Sequence, residues 1–226
     1  RRDAAIAVSL GLVGFLAYLR TLAPSILPGD SGEFQFAAPL LGVAHPTGYP
    51  LYLLLGRIFI GLVPVGDPAF RMNLLSALFA ATAVSATYLL ARQLTLHRPI
   101  AALAALTLAF SRTFWSQAVE AEVYALNSLF MAATLLLLLR ATAQPAQDEA
   151  IRPRDGWLLA AASCYGLSLT HHRTAILLAP AIVVYLWLER RRLPTISVWR
   201  AVGLGALVLL GAAGGAQFMR MPTPFR

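Results

Sequence analysis

Lysine is absent from this chain, cysteine occurs once, and only 12% of the 226 residues are charged. Soluble domains carry roughly 25% charged residues. With 58% hydrophobic residues and a mean hydropathy of +0.69, the shortfall excludes an ordinary water-soluble domain and points to an integral membrane protein. The lone Cys164 rules out an internal disulfide and reads as a small buried packing residue. All 18 basic residues are arginine, as expected of a GC-rich bacterial genome. A net charge of +8 invites a nucleic-acid reading. However, the arginines fall in short runs between apolar segments, with no basic stripe interleaved with aromatics, so no nucleic acid is expected as partner. The chain opens on Arg1 and closes on Arg226 just after an apolar segment. It is read as one transmembrane domain, 1–226, forming the N-terminal part of a longer protein. No small-x-small cleavage site follows Arg1-Arg2, so the first apolar run is read as an uncleaved helix.

A helix needs about 20 apolar residues to cross the hydrocarbon core. Candidate spans are 4–23, 73–91, 99–110 (extendable to Trp115), 125–139, 157–170, 174–188 and 201–218. The run 49–65 is interrupted by Gly56-Arg57 and bounded by prolines, and is expected to lie along the outer face as an interfacial helix. The positive-inside rule supports this reading. With about seven spans, Arg92, Arg98, Arg140, Arg152, Arg154, Arg190, Arg191, Arg192 and Arg200 all fall on the cytoplasmic side. Spanning at 49–65 would put the Arg190-Arg191-Arg192 cluster outside. The stretch 141–156 reads as a cytoplasmic loop. The expected fold is therefore all-α, a polytopic transmembrane helix bundle with an outer-face loop and an interfacial helix after the first span.

Three outer turns carry the polar chemistry. The first is Pro28-Gly29-Asp30-Ser31-Gly32-Glu33, followed by Ala44-His45-Pro46. Carboxylates beside a bilayer usually sit in water or a functional cavity, and Asp30 or Glu33 can take a proton or bind a divalent metal through oxygen. The alternative is a capping box, with Asp30 capping a short helix that starts near Ser31 and Glu33 at its third position. Asp67, in Gly66-Asp67-Pro68, reads as a turn residue. In the second turn, a helix would place Gln117, Glu120, Tyr124 and Asn127 on one face and aim Glu122 elsewhere. Such a polar stripe lines a cavity or forms a solvated helix end. The third turn, Gly166-Leu167-Ser168-Leu169-Thr170-His171-His172-Arg173, lacks the i, i+4 spacing of a metal-binding histidine pair. An arginine beside histidines suits an anionic phosphate better. Tyr49, Tyr52 and Trp115 are read as membrane-interface anchors.

The stretches Gly29-Asp30-Ser31-Gly32-Glu33, Gly42-Val43-Ala44-His45-Pro46-Thr47-Gly48-Tyr49-Pro50-Leu51, Arg71-Met72-Asn73-Leu74-Leu75, Phe110-Ser111-Arg112, Ala121-Glu122-Val123-Tyr124-Ala125-Leu126-Asn127 and Gly166-Leu167-Ser168-Leu169 together carry a resemblance. The chain resembles the bacterial branch of a GT-C-fold glycosyltransferase family that includes the plexin/Met-type protein O-mannosyltransferase. The resemblance implies a GT-C-like bundle, a lipid-linked sugar donor, an outward-facing site and a catalytic Asp in the first outer loop, matched by Asp30. It favours Glu122 over Glu120, against the helical-face argument.

The expected activity is an inverting transfer of a sugar, mannose being one candidate, from a polyprenyl-phosphate donor to an acceptor hydroxyl, with protein Ser/Thr as the acceptor. Asp30, Glu33 and Glu122 are the expected catalytic residues. His45, Arg112, His171, His172, Arg173, Tyr124 and Glu120 are expected to bind donor phosphate or sugar. No metal site and no cofactor is assigned, although a divalent metal fits the chemistry. The expected setting is the bacterial inner membrane, with the site facing outward. The alternatives are transfer of the same sugar to a lipid or cell-wall glycan, or a non-enzymatic transporter or structural subunit. A transporter places ionisable groups near mid-membrane, and here they cluster at one face.

Overall fold

The computed structural model describes residues 1–46, 48–95, 97–143 and 154–191, with 199, 200, 202, 203 and 206. Most of the expected span 201–218, most of the loop 141–156, Thr47 and Arg192 lie outside the described residues. Among the described residues every regular element is helical: α1 (Arg2–Thr21), α2 (Asp30–Leu40), α3 (Pro50–Leu62), α4 (Pro68–Thr95), α5 (Arg98–Phe110), α6 (Arg112–Ala118), α7 (Tyr124–Thr142), α8 (Arg154–His171), a 3₁₀ helix (Arg173–Leu178) and α9 (Ala179–Leu188). The all-α bundle expected from the sequence is the fold observed.

Among the described residues three helices, α1, α4 and α7, are long and apolar enough to cross a membrane. The 13 residues of α3 extend only about 20 Å at 1.5 Å per residue, well short of a hydrocarbon core of about 30 Å. Its exposed Leu54, Ile58 and Leu62 form one stripe at i, i+4, i+8, while Tyr52, Leu53, Gly56 and Ile60 are buried. This amphipathic, short helix fits the interfacial role expected for 49–65 better than a span. Helix α5 also has 13 residues and ends at Ser111, whose extended backbone separates it from α6. The apolar run 174–188 starts as a 3₁₀ helix and continues as the 10-residue α9.

Helix α4 is the axis of the bundle and packs against α1, α5 and α7, with α8 on the far side of α7. Small residues bring these helices close. Ala101, Ala105 and Ala109 repeat on one face of α5, fully buried, against Ala77, Ala80, Ala83 and Val84 of α4. On α1, a Cβ at Gly11 would overlap the Ser85 hydroxyl and the Ala81 carbonyl, and Ser85 Oγ donates to the Ala7 carbonyl at 2.8 Å.

The long-range hydrogen bonds fix which helix ends lie together. At one end, Arg92 and Arg98 both reach the Asp3 carboxylate, at 3.2 and 2.8 Å, joining the start of α1 to the α4–α5 turn. Arg140 closes α7, and Arg190 follows α9, which is tied to α7 through Thr142 and Tyr185. At the opposite end, the Ala23 N–H donates to the Val119 carbonyl at 3.0 Å. There Asn73, near the start of α4, donates to the Ala23 carbonyl at 2.9 Å, and His171, ending α8, reaches the Val123 carbonyl at 2.9 Å. One end of the bundle is therefore rich in arginine, and the other collects the three polar turns.

Candidate active site

The first polar turn is held from beneath by a buried amide network. Gln35 Oε1 accepts the Leu27 N–H at 2.9 Å, and its Nε2 donates to Asn73 Oδ1 at 2.7 Å. Asn73 in turn donates to the Ala23 and Ser25 carbonyls. Both amides are buried, and each pair leaves fewer unsatisfied groups than either side chain alone, which pins the loop before α2. Asp67 caps α4, accepting the Phe70 N–H at 2.7 Å, and also accepts from Ser25. These bonds hold its carboxyl below the usual range, so the expected turn residue is a helix cap.

Helix α2 begins at Asp30 itself. Its N-cap is Gly29, at φ 75° and ψ −150°, a conformation that side-chain-bearing residues avoid. No side chain caps the helix, so the capping-box alternative for Asp30 is overturned: the carboxylate sits one residue too late to bond the first-turn N–H groups. Asp30 is exposed, and with Glu33 it occupies the positive end of the α2 dipole. Glu33 turns inward onto His45, one oxygen accepting the backbone N–H at 2.7 Å and the other facing ring Nδ1 at 2.6 Å. Ligand atoms of Asp30, Glu33 and His45 lie within 4.8 Å of one another, a spacing that suits a divalent ion. Such an ion would compete with the bonds Glu33 already makes to His45.

The second turn departs from expectation. The face argument for Gln117, Glu120, Tyr124 and Asn127 assumed a continuous helix. Instead α6 ends at Ala118 and α7 starts at Tyr124, so 119–123 is a break and the 3.6-residue period does not run through it. Glu122 points into the polar end: Ser31 Oγ donates to its Oε1 at 3.4 Å. Burial pushes its carboxyl up to about 7, with the nearby charges of Glu120 and Asp30 adding to the effect. Burial also raises Glu120. Glu122 thus lies near enough to Asp30 and Glu120 for their charges to act on it, and it meets α2 directly at Ser31.

Aromatic rings connect the turns. Tyr49 adopts a left-handed backbone at φ 43°, strained for a bulky residue and typical of functional sites. Its ring lies 5.3 Å from Phe34, 5.3 Å from His45 and 6.1 Å from His172. His172 meets Tyr124 at 5.5 Å, and burial followed by the charge of Arg173 lowers its pKa. Arg173 is exposed beside it. His171 is fully buried among Tyr49, Tyr52 and Phe130.

The structure therefore brings Asp30, Glu33, His45, Glu120, Glu122, Tyr124, His171, His172 and Arg173 to one end. Arg112 is exposed at the start of α6, and no hydrogen bond or ion pair joins it to this group among the described residues. Trp115 lies apart, donating to Thr21 at 2.8 Å. Sequence reasoning passed over Ser31 and Ser76. Ser76 is fully buried, and its Oγ contacts Tyr52 Oη at 2.9 Å and the Glu122 N–H at 3.2 Å. A serine in an apolar helix was the available signal, since buried hydroxyls need partners.

Comparison with known proteins adds a family. The family described as the protein O-mannosyl-transferase TMEM260 N-terminal domain matches residues 30–195. Protein O-mannosyl-transferase TMEM260 of Mus musculus is 38% identical over 189 residues, 82% of this chain and 26% of that protein. Protein O-mannosyl-transferase tmem260 of Dictyostelium discoideum is 32% identical over 124 residues, 54% of this chain and 15% of that protein. This chain thus spans about a quarter or less of the length of these curated relatives. A chain of the S. cerevisiae protein O-mannosyltransferase Pmt1-Pmt2 complex bound to the sugar donor superposes with a TM-score of 0.72 at 17% identity, over 94% of this chain and 32% of that chain. At that identity the likeness concerns the fold.

Proposed function

The chain belongs to the family of the protein O-mannosyl-transferase TMEM260 N-terminal domain, and from that premise we propose that it carries the catalytic end of a membrane glycosyltransferase acting on protein. The donor is a polyprenyl-phosphate sugar, mannose for preference, and the acceptor a Ser or Thr hydroxyl. The observation that carries the reading is the convergence of Asp30 and Glu122 beside His45, His172 and Arg173 at one end of an apolar bundle.

The chemistry divides among these residues. The acceptor oxygen attacks the anomeric carbon as the bond from that carbon to the phosphate oxygen breaks, inverting the centre. Asp30, exposed and free of a capping bond, takes the acceptor proton, a contribution typically worth about 10²–10⁴-fold. Polyprenyl phosphate departs as an anion, and Arg173, His172 and His45 stabilise that charge. Glu122 works in its neutral form. Protonated, it donates a hydrogen bond to the bound sugar and adds no second negative charge beside Asp30 and the donor phosphate. Tyr124 and Glu120 border the sugar, and Glu33 holds His45. His171 supports the site from behind through Val123.

The arginine-rich end faces the cytoplasm by the positive-inside rule, which sets the site outward. A bacterial inner-membrane setting rests on the all-arginine basic set. The test is a transfer assay of the full-length membrane protein with defined polyprenyl-phosphate sugars and Ser/Thr-containing protein acceptors. Transfer to protein that disappears with Asp30→Asn supports the reading. Hydrolysis or transfer to glycan alone refutes the protein acceptor.

A further inference from the structure

The break between α6 and α7 contradicts its own sequence. Ala118-Val119-Glu120-Ala121-Glu122 contains good helix formers and no Gly or Pro, yet residues 119–123 leave the helix. Where local preference and structure disagree this way, the conformation is imposed from outside and commonly serves a site. The imposing groups can be named, because the peptide groups freed by the break must find partners. The Val119 carbonyl accepts from Ala23 at 3.0 Å. Ser76 Oγ accepts the Glu122 N–H at 3.2 Å and donates to the Glu122 carbonyl at 3.3 Å. With its proton so used, Ser76 accepts from the Tyr52 hydroxyl at 2.9 Å. His171 Nε2–H donates to the Val123 carbonyl at 2.9 Å. Ser76, Tyr52 and His171 are each fully buried, so these bonds lie behind the site, away from any substrate.

We infer that Ser76, backed by Tyr52, is a positioning residue that grips both backbone polar groups of Glu122 and thereby sets its carboxyl against Asp30 at the mouth of the site. The inference rests on the reading of Glu122 given above. The groups facing Glu122 are Asp30 from α2, Glu120 from its own segment and Tyr52 from α3, with His171 of α8 bonded to the next peptide. Removing the Ser76 hydroxyl frees two peptide groups that only water can then satisfy. The break moves outward, Glu122 becomes better hydrated, and its ionisation falls toward that of an ordinary carboxylate.

The test measures kcat/KM against pH for the full-length membrane protein with a polyprenyl-phosphate sugar, alongside thermal stability in detergent. Wild type and Glu122→Gln come first. A wild-type rate that falls as pH rises through about 7, and a Glu122→Gln rate that does not, uphold the role of Glu122. Failure of either result removes that role and the inference with it. With both in hand, Ser76→Ala is expected to move the basic limb down by about one pH unit or more, with a roughly fivefold or greater loss at neutral pH. Tyr52→Phe is expected to move it the same way by less. A limb that stays in place in Ser76→Ala, with only a lowered melting temperature, overturns the positioning role and leaves Ser76 as packing. Should Ser76→Ala fail to accumulate, Tyr52→Phe, which deletes one buried oxygen, decides on the same criterion.

Discussion

Glu33 holds His45 at two points, its carboxylate oxygens lying 2.7 Å from the backbone nitrogen and 2.6 Å from ring Nδ1. The pair locks the imidazole with Nε2 free for the donor, much as a carboxylate orients a catalytic histidine. Glu33→Ala is expected to release the ring and the loop that carries it. Hydrogen bonds to charged groups are worth about 1.5–3 kcal/mol, so the donor KM should rise by roughly tenfold or more. An unchanged KM in steady-state assays would show that His45 does not touch the donor.

Asp30→Asn isolates proton transfer. Because Gly29, not Asp30, occupies the N-cap, the change removes no capping bond and should cost no more than the ~0.3–1 kcal/mol of a charge at the helix N-terminus. Turnover is expected to fall by about 10²-fold or more with donor binding unchanged. Arg173→Ala should do the reverse, weakening donor binding first, since phosphate is present from the ground state onward. Measuring kcat and donor affinity for both variants checks the division of labour.

Glu122 is expected to give stability a pH dependence, beside the one proposed for rate. Its carboxyl sits at about 7 in the folded protein, against 4.5 as its ordinary value. The folded state therefore holds this proton more tightly. The sign follows: stability from this group is fully present below pH 4.5 and is lost as pH rises toward and through 7. Glu122→Gln should remove that slope. Thermal denaturation in detergent at pH 5 and pH 8 reads the effect, and a wild type equally stable at both, after subtracting the Glu122→Gln baseline, would contradict it.

Asn73 is expected to matter without touching substrate. Asn73→Ala removes the amide that joins Gln35 to the Ala23 and Ser25 carbonyls, leaving buried polar groups unpaired at about 1–3 kcal/mol. Lower stability, together with loss of transfer as the loop before Asp30 loosens, is the expected outcome. A denaturation midpoint unchanged from wild type would show that water replaces the amide at no cost.

Orientation can be read by accessibility. With Cys164 replaced by Ala, a cysteine placed at Phe36, which is 67% exposed on α2, should react with an impermeant thiol reagent from outside. One at Arg190 should react only after the membrane is opened. The opposite pattern would invert the bundle.

Much of this architecture is legible in the residues, for identifiable reasons. Helices α1, α4 and α7 announce themselves through long apolar runs, and the arginines mark one end. The short α2 is harder to see because Gly29, Asp30, Ser31 and Gly32 read as turn formers and Pro39 lies near its end. Its register decides whether Asp30 caps or is free. The pairing of Glu122 with Asp30 could not come from helical periodicity, since the period stops at Ala118. What stops it is Ser76, 46 positions away, and no local pattern encodes such a partner. The resemblance of Ala121-Glu122-Val123-Tyr124 to a family pattern favoured Glu122, whose carboxylate accepts from Ser31 at the polar end.

The bonds that seat the α6–α7 break also carry a consequence for biosynthesis. A membrane chain is threaded from its N-terminus, and α1 through α7 can enter the bilayer before α8 exists. Until His171 arrives, the Val123 carbonyl lacks its most distant partner, 48 residues downstream, and Tyr49 lacks the histidines that wall its ring. Before α8 is made, these contacts of the polar end have no partner. Assembly of the polar end thus waits on the docking of one helix.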